Sequence, residues 1–284
     1  MSNPNSSSHD SPGFHSPGID PRACIDPSAV IGQDVQIGPW TYIGPGVTIG
    51  DHTVIRSHVV IERDTHIGSR NVISSYAAIG GDPQDASYAG QKTELVIGDD
   101  NVFREFVTVN RGSQTDGAKT VIGNRCFLLA YSHVAHDCQL GNDILMVNNA
   151  TIAGHVVIDD YVILGAFTAV HQFCHVGAYS FLARATEISK DIPPYMLVKG
   201  LPGYPCGLNL VGLKRRGFSD EAIRSLKQAY KLMYRQGLAF EEIIQKLTVL
   251  SAQCAEVSLI LEFIQSSQRG IARRAYEDDD ALSD

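Results

Sequence analysis

The chain has 284 residues, 44% of them hydrophobic, a formal charge of −8 at pH 7 and a pI near 5.6. That length supports one large domain and a smaller one, and the acidic balance argues against nucleic acid as a partner except through a local basic patch. No stretch approaches the roughly 18 consecutive apolar residues of a membrane span, and the N-terminus lacks the basic start and apolar run of a secretory signal; a cytoplasmic location is expected. The six cysteines, at 24, 126, 138, 174, 206 and 254, show no CxxC pairing, so reduced thiols are expected.

Residues 1–22, rich in Ser, Pro and Gly, carry no periodic apolar residues and read as a disordered extension. An unbroken six-residue series then begins, Ile25, Ile31, Ile37, Ile43, Ile49, Ile55, Ile61, Ile67, Ile73 and Ile79. It resumes in phase at Ile97, Phe103 and Val109 and, shifted by one residue, runs from Ile122 through Val134, Ile152 and Val170 to Ile188. A period of six fits neither a helix nor plain alternation, but it fits a short strand plus a corner. Three such units close a coil of 18 residues, so residues 23–195 read as a parallel β-helix of hexapeptide repeats, about eight coils and on the order of 40 Å tall.

Glycine often follows the aliphatic residue, as at Gly32, Gly38, Gly50 and Gly141, and this position is expected to turn. Four places after the aliphatic comes a small or β-branched residue, among them Cys126, Cys138 and Cys174, which read as packing residues. Segments 81–96 and 111–121 break the repeat, and as excursions from a rigid scaffold they are candidate lids or substrate contacts.

After Pro193-Pro194 the pattern changes to a smaller C-terminal helical domain, 196–275. Ser219 is a candidate N-cap, Ile223, Leu226, Tyr230 and Met233 follow at helical spacing, and further helices are expected near 239–249 and 252–268. An acidic tail, 276–284, reads as disordered.

Ten histidines are present, and their placement matters more than their number. Residues 18 apart stack in one column, which puts His136, Gly154 and Gln172 one above another, with His155 and His171 beside them and His133 three residues before His136. A histidine in such a groove can act as a general base, Asp137 is placed to orient it, and a glycine stacked on it leaves room for substrate and offers an N–H to an oxyanion. No Ser or Cys nucleophile is paired with these histidines, which favours direct transfer. A metal site built from His136, His171 and His175 is the disfavoured rival, because His171 and His175 fall on different parts of the repeat. His52, His58 and His66 read as solvated surface residues.

The stretch AHDCQLGNDILMVNNATIAGHVVIDDYVILGAFTAVHQF (135–173), the loop PQDASYAG (83–90) and NLVGLKRRGFS (209–219) closely resemble the UDP-N-acetylglucosamine O-acyltransferase family over about 23–270. The resemblance implies a left-handed β-helix, a homotrimer with sites between subunits, and transfer of an R-3-hydroxyacyl group from acyl carrier protein to the 3-hydroxyl of UDP-N-acetylglucosamine, without a cofactor, as the first step of lipid A biosynthesis. It implies His136 as general base, Asp137 as its orienting partner and the Gly154 N–H as oxyanion donor. Asp85, His133, His155, His171 and Gln172 would line the sugar and acyl site, and Asn209, Arg215 and Arg216 the nucleotide and phosphate end, where the guanidinium fork suits phosphate.

Three positions depart from the family pattern. Ser87 stands where a lysine is common, Val211 replaces an acidic residue, and Arg184, near the acyl tail, replaces a small one. Arg184 is expected to shorten or reshape the acyl groove. Two other readings stay open at this point: N-acylation of a related amino-sugar nucleotide, and a non-catalytic solenoid scaffold.

Overall fold

The computed structural model describes residues 18–113 and 118–273. Strands of two to four residues stack into three parallel sheets, which form the three faces of a prism. The first face runs from Cys24–Ile25 to Glu187–Ile188, the second from Val30–Ile31 to His175–Val176, and the third from Gln36–Ile37 to Phe181–Leu182. Register keeps the aliphatics in columns: Ile43 pairs with Ile61, Ile61 with Ile79, Val109 with Val134, and Val134 with Ile152. These side chains are fully buried, each contributing roughly 1.5–3 kcal/mol relative to exposure, and none can be buried by its own coil alone. Cys126, Cys138 and Cys174 are buried in the same core.

The corners turn differently from the expectation for glycine. The left-handed residue, with φ near +60°, lies three places after the aliphatic and is rarely glycine: Asp34, Trp40, His52, Asp137 and His155 all occupy it. The glycines two places earlier are required by crowding between coils, since a Cβ on Gly38 would stand 2.7 Å from the Ser57 amide nitrogen and one on Gly50 2.6 Å from the Gly68 carbonyl carbon.

Boundaries also shift. Ile19 already bridges to Ile37, so 18–22 joins the first coil because its one apolar side chain continues the third-face column. The rest of the expected extension, 1–17, and the tail 276–284 lie outside the described residues, as does 114–117 of the second insertion. Residues Glu94–Ile97 and Lys119–Ile122 pair as second-face strands, which trims the insertions to 82–93 and 111–118 because alternating Leu95 and Ile97 already face the core.

The C-terminal unit opens with a hairpin, not a helix. Met196–Gly200 extends the third face beside Phe181–Leu182 and pairs antiparallel with Gly203–Leu208. Four helices follow: α1 (Leu210–Arg215), α2 (Asp220–Tyr234), α3 (Phe240–Ser251) and α4 (Ala255–Ser266). Ser219 caps α2 by accepting from the Ala222 N–H at 3.1 Å. The segment after α4 returns to the last coil, where buried Asp191 accepts from the His175 N–H and from Ser267 Oγ.

Candidate active site

Both insertions leave the prism from one corner, the turn between the first and second faces. His136, Gly154 and Gln172 occupy successive turns of that corner, so the column inferred from the 18-residue coil is present. Asp137 takes φ +60°, which brings its carboxylate back to its neighbour, and His136 Nδ1 donates to Asp137 Oδ2 at 2.7 Å. A carboxylate only accepts, so Nδ1 carries the proton of this bond, and in the neutral ring the free lone pair is on Nε2.

Asp137 is held in turn by the second insertion. Ser113 donates from Oγ at 2.6 Å and from its N–H at 3.1 Å, and the Asp137 N–H donates to Thr120 Oγ1 at 2.9 Å. Burial works to raise the Asp137 carboxyl, but the hydrogen bonds from Ser113 and His136 outweigh it and hold the group below its ordinary value. It therefore remains an anion at neutral pH. Ser113 and Thr120 escaped the sequence reading, because their link to Asp137 crosses 24 and 17 residues; a hydroxyl inside a repeat-breaking segment was the only signal.

Gly154 works differently from the expectation. It is buried, and the space a side chain would fill is taken by the His136 ring, to which a Cβ would come within 2.5 Å at Cε1. The glycine seats the His136 ring, which takes the space that the sequence reading left for substrate. Its N–H has no acceptor among the described residues, while the amides on either side donate to Val170 O and His136 O, both at 3.0 Å.

The other histidines divide by environment. His155 Nε2 lies 3.5 Å from Asp137 Oδ2, and its ring stacks on Phe173 at 4.6 Å. His133, on the first face, has Nδ1 2.7 Å from Thr108 Oγ1, and burial, then the charge of His136, pushes its pKa below the ordinary value. His171 and Gln172 are exposed at the next turn up. Asp85, in the first insertion, accepts from the Ser87 N–H and Oγ at 2.8 Å each; these bonds, with smaller contributions from His136 and His155, lower its carboxyl. Ser87, a departure from the family pattern, thus ties down Asp85.

One donor atom from each of His136, Asp137 and His155 lies within 4.8 Å of the other two. His175 is elsewhere, on the second face with Nε2 2.8 Å from Asp159 Oδ1, so it does not share a cluster with His136 and His171. His58, though exposed, has ring neighbours: it stacks on Tyr76 at 5.1 Å and lies tilted against Trp40 at 5.0 Å.

Four expected site residues stand apart from this corner. Arg184 is exposed on the turn between the third and first faces. Asn209 belongs near the turn between the second and third faces, where its Nδ2 donates to Tyr179 O and its Oδ1 caps α1 at Gly212. Arg216 lies over the Tyr161 ring of that same turn, 3.9 Å from its centroid, and Arg215 precedes it at the end of α1.

Known proteins resemble this chain closely. The family model "Udp N-acetylglucosamine O-acyltransferase; Domain 2" matches residues 191–272, and the bacterial transferase hexapeptide model matches 28–63 and 119–154. The acyl-[acyl-carrier-protein]--UDP-N-acetylglucosamine O-acyltransferase of Alkalilimnicola ehrlichii is 48% identical over 198 residues, 70% of this chain and 77% of its own. The chain belongs to the UDP-N-acetylglucosamine O-acyltransferase family.

Solved members of the UDP-N-acetylglucosamine O-acyltransferase family superpose closely. The Francisella novicida enzyme matches with TM-score 0.89 and 40% identity over 91% of this chain and 95% of its own, and LpxA from Acinetobacter baumannii with TM-score 0.88 and 41% identity over 90% and 99%. The present chain is accordingly an acyltransferase, and its coil is a left-handed parallel β-helix with a helical end. The usual right-handed preference arises from twisted strands feeding helical crossovers; here two-residue strands meet short corners, and that constraint does not operate.

Proposed function

We propose that the protein transfers an R-3-hydroxyacyl group from acyl carrier protein to the 3-hydroxyl of UDP-N-acetylglucosamine, the first step of lipid A biosynthesis, in the cytoplasm. The observation that carries the mechanism is the His136 Nδ1 to Asp137 Oδ2 bond at 2.7 Å, which leaves Nε2 as the basic atom. In this reading Nε2 removes the sugar O3 proton, and the oxygen attacks the thioester carbonyl. The Gly154 N–H receives the oxyanion, and collapse breaks the C–S bond while the imidazolium returns the proton to the departing thiolate. Neither nearby side chain suits a covalent route. Ser113 Oγ is committed to Asp137, and burial pushes the Cys138 thiol up to about 12, so it is not a thiolate at neutral pH.

The binding roles follow the same division. Asp85, His155, His171 and Gln172, on the corner that carries His136, and His133, on the first-face strand before it, take the sugar and the donor's acyl end. Arg184, Asn209, Arg215 and Arg216 face other corners of their own chain, which supports a homotrimer in which a neighbouring copy supplies the nucleotide and acyl-tail contacts. Among the described residues no helix is long and apolar enough to cross a membrane. The test is mass spectrometry of the product formed from UDP-N-acetylglucosamine, its 3-amino analogue and a mixture of acyl carrier protein thioesters. An O-linked 3-hydroxyacyl product is expected; exclusive acylation of the 3-amino sugar would assign the acceptor otherwise.

A further inference from the structure

We propose that Tyr161 is a positioning residue for a nucleoside diphosphate: its ring holds the Arg216 guanidinium where the N–H donors can meet phosphate. The proposal rests on the reading of Arg216 as a phosphate contact and adds the device that aims it. The corner between the second and third faces is a column of left-handed residues, in which Arg70, Asp100, Arg125 and Asp143 give way to Tyr161 and Tyr179. In the lower coils each arginine is taken up by a carboxylate: Arg70 Nε donates to Asp100 Oδ1 at 2.8 Å, and Arg125 Nη2 to Asp143 Oδ2 at 2.7 Å. Arg216 has no carboxylate partner among the described residues. It is exposed, and its Cζ stands 3.9 Å from the Tyr161 ring centroid. Attraction to the face of a ring needs no acceptor atom, so the guanidinium donors stay available to a phosphate.

The segment that carries Arg216 is fastened to the same column. Asn209 Nδ2 donates to Tyr179 O at 2.9 Å, and Leu213 of α1 is fully buried. Gly217, at φ +81°, turns the chain so that Phe218 packs edge-on against Tyr179 at 5.1 Å and Tyr195 at 5.8 Å. Tyr179 in turn stacks on Tyr161 at 4.8 Å, with planes 19° apart. The ring beside the Arg216 side chain and the backbone that carries it therefore belong to one aromatic stack. An arginine free in solvent gives up rotamer entropy when it closes on a ligand; one already held over a ring has given up part of it before binding. Asp143, the next residue down the column, is paired with Arg125, which leaves the charge of Arg216 for an incoming anion.

The experiment is calorimetric titration of UDP into the full-length protein and into Tyr161→Leu, Tyr161→Phe, Arg216→Ala and the combined Tyr161→Leu, Arg216→Ala variant, with circular dichroism melts to verify folding. Tyr161→Leu should bind UDP roughly 3–30-fold more weakly, the span of a cation–π contact from exposed to desolvated sites. Tyr161→Phe, which keeps the ring face, should stay within about twofold of the parent. The combined variant should bind no more weakly than Arg216→Ala, because the ring acts only through the guanidinium. Parent-like affinity in Tyr161→Leu beside a weakened Arg216→Ala would overturn the proposal and leave the phosphate contact standing. A loss from Tyr161→Leu that persists without Arg216 would also overturn it, since the ring would then meet the ligand itself. UDP affinity unchanged in Arg216→Ala would remove the phosphate reading and the proposal with it.

Discussion

The Nδ1–H of His136 meets Oδ2 of Asp137 at 2.7 Å although the two residues are adjacent in the chain. In an extended strand neighbouring side chains point to opposite faces. The left-handed conformation of Asp137, φ +60°, folds its carboxylate back over the preceding ring, so the corner that closes each coil also joins this imidazole and carboxylate from consecutive residues.

Replacing His136 with Ala should lower kcat by about 10²–10⁴, the usual contribution of a positioned base, without lowering the melting temperature appreciably, because the ring stands at the rim of the corner and outside the core. Steady-state transfer assays and a thermal melt check this, and retention of near-parent kcat would remove His136 from the role of base.

Ser113→Ala tests the support of the carboxylate. The depressed Asp137 pKa means its contribution to folding is fully present above the unfolded value, about 3.9, and is lost as pH falls through the lower folded value. The variant should be about 1–2 kcal/mol less stable at pH 7, and this gap should close in acid as the carboxyl protonates in both proteins. Urea unfolding at several pH values measures it; a gap independent of pH would mean the hydroxyl matters only for packing.

At Gly154 the smallest side chain is too large. Gly154→Ala places a Cβ 2.5 Å from His136 Cε1, so the ring must rotate away, at a cost of about 1–3 kcal/mol and with a larger loss of transfer than of stability. Activity compared with a melt of the same sample separates the two effects.

Arg111 anchors the first insertion. It is only 1% exposed and donates to Gly80 O and Asp82 Oδ1 at the base of the 82–93 loop, while Asn110 Nδ2 donates to Asp82 O at 2.8 Å. Arg111→Met should leave the Gly80 carbonyl unpaired, cost about 1–3 kcal/mol and loosen the loop that carries Asp85. Limited proteolysis should then cut within 82–93 faster than in the parent; an unchanged cleavage pattern would argue against this anchoring.

If neighbouring copies complete the site, two inactive proteins should complement one another. Co-expressed His136→Ala and Arg216→Ala chains should form mixed oligomers with more activity than either alone, read out by transfer assays on doubly tagged material. Additive residual rates would place both residues in one copy's site.

Much of this architecture was legible before any coordinates. The six-residue recurrence demanded a strand-and-corner repeat, and 18-residue arithmetic stacked His136, Gly154 and Gln172 because coil length is constant between them. Ser219 announced a helix start because capping is local. Less local matters were hidden. The turning position was misread because glycine's commonest use, a left-handed backbone, differs from its use here, close approach between coils. The hairpin at Met196–Gly200 and Gly203–Leu208 was missed because its pairing is decided by the exposed edge of the third face.

The linear chain by itself determined the repeat, the buried columns and the histidine-bearing corner, because each depends on spacing along the backbone. Tertiary structure alone decided that Ser113 would grip Asp137 from 24 residues away, that Arg111 would fasten the loop of Asp85, and that Arg184 and Arg216 would face other corners. Those relations depend on the direction in which insertions fold back and side chains turn, which is set by packing between coils and leaves no period in the sequence.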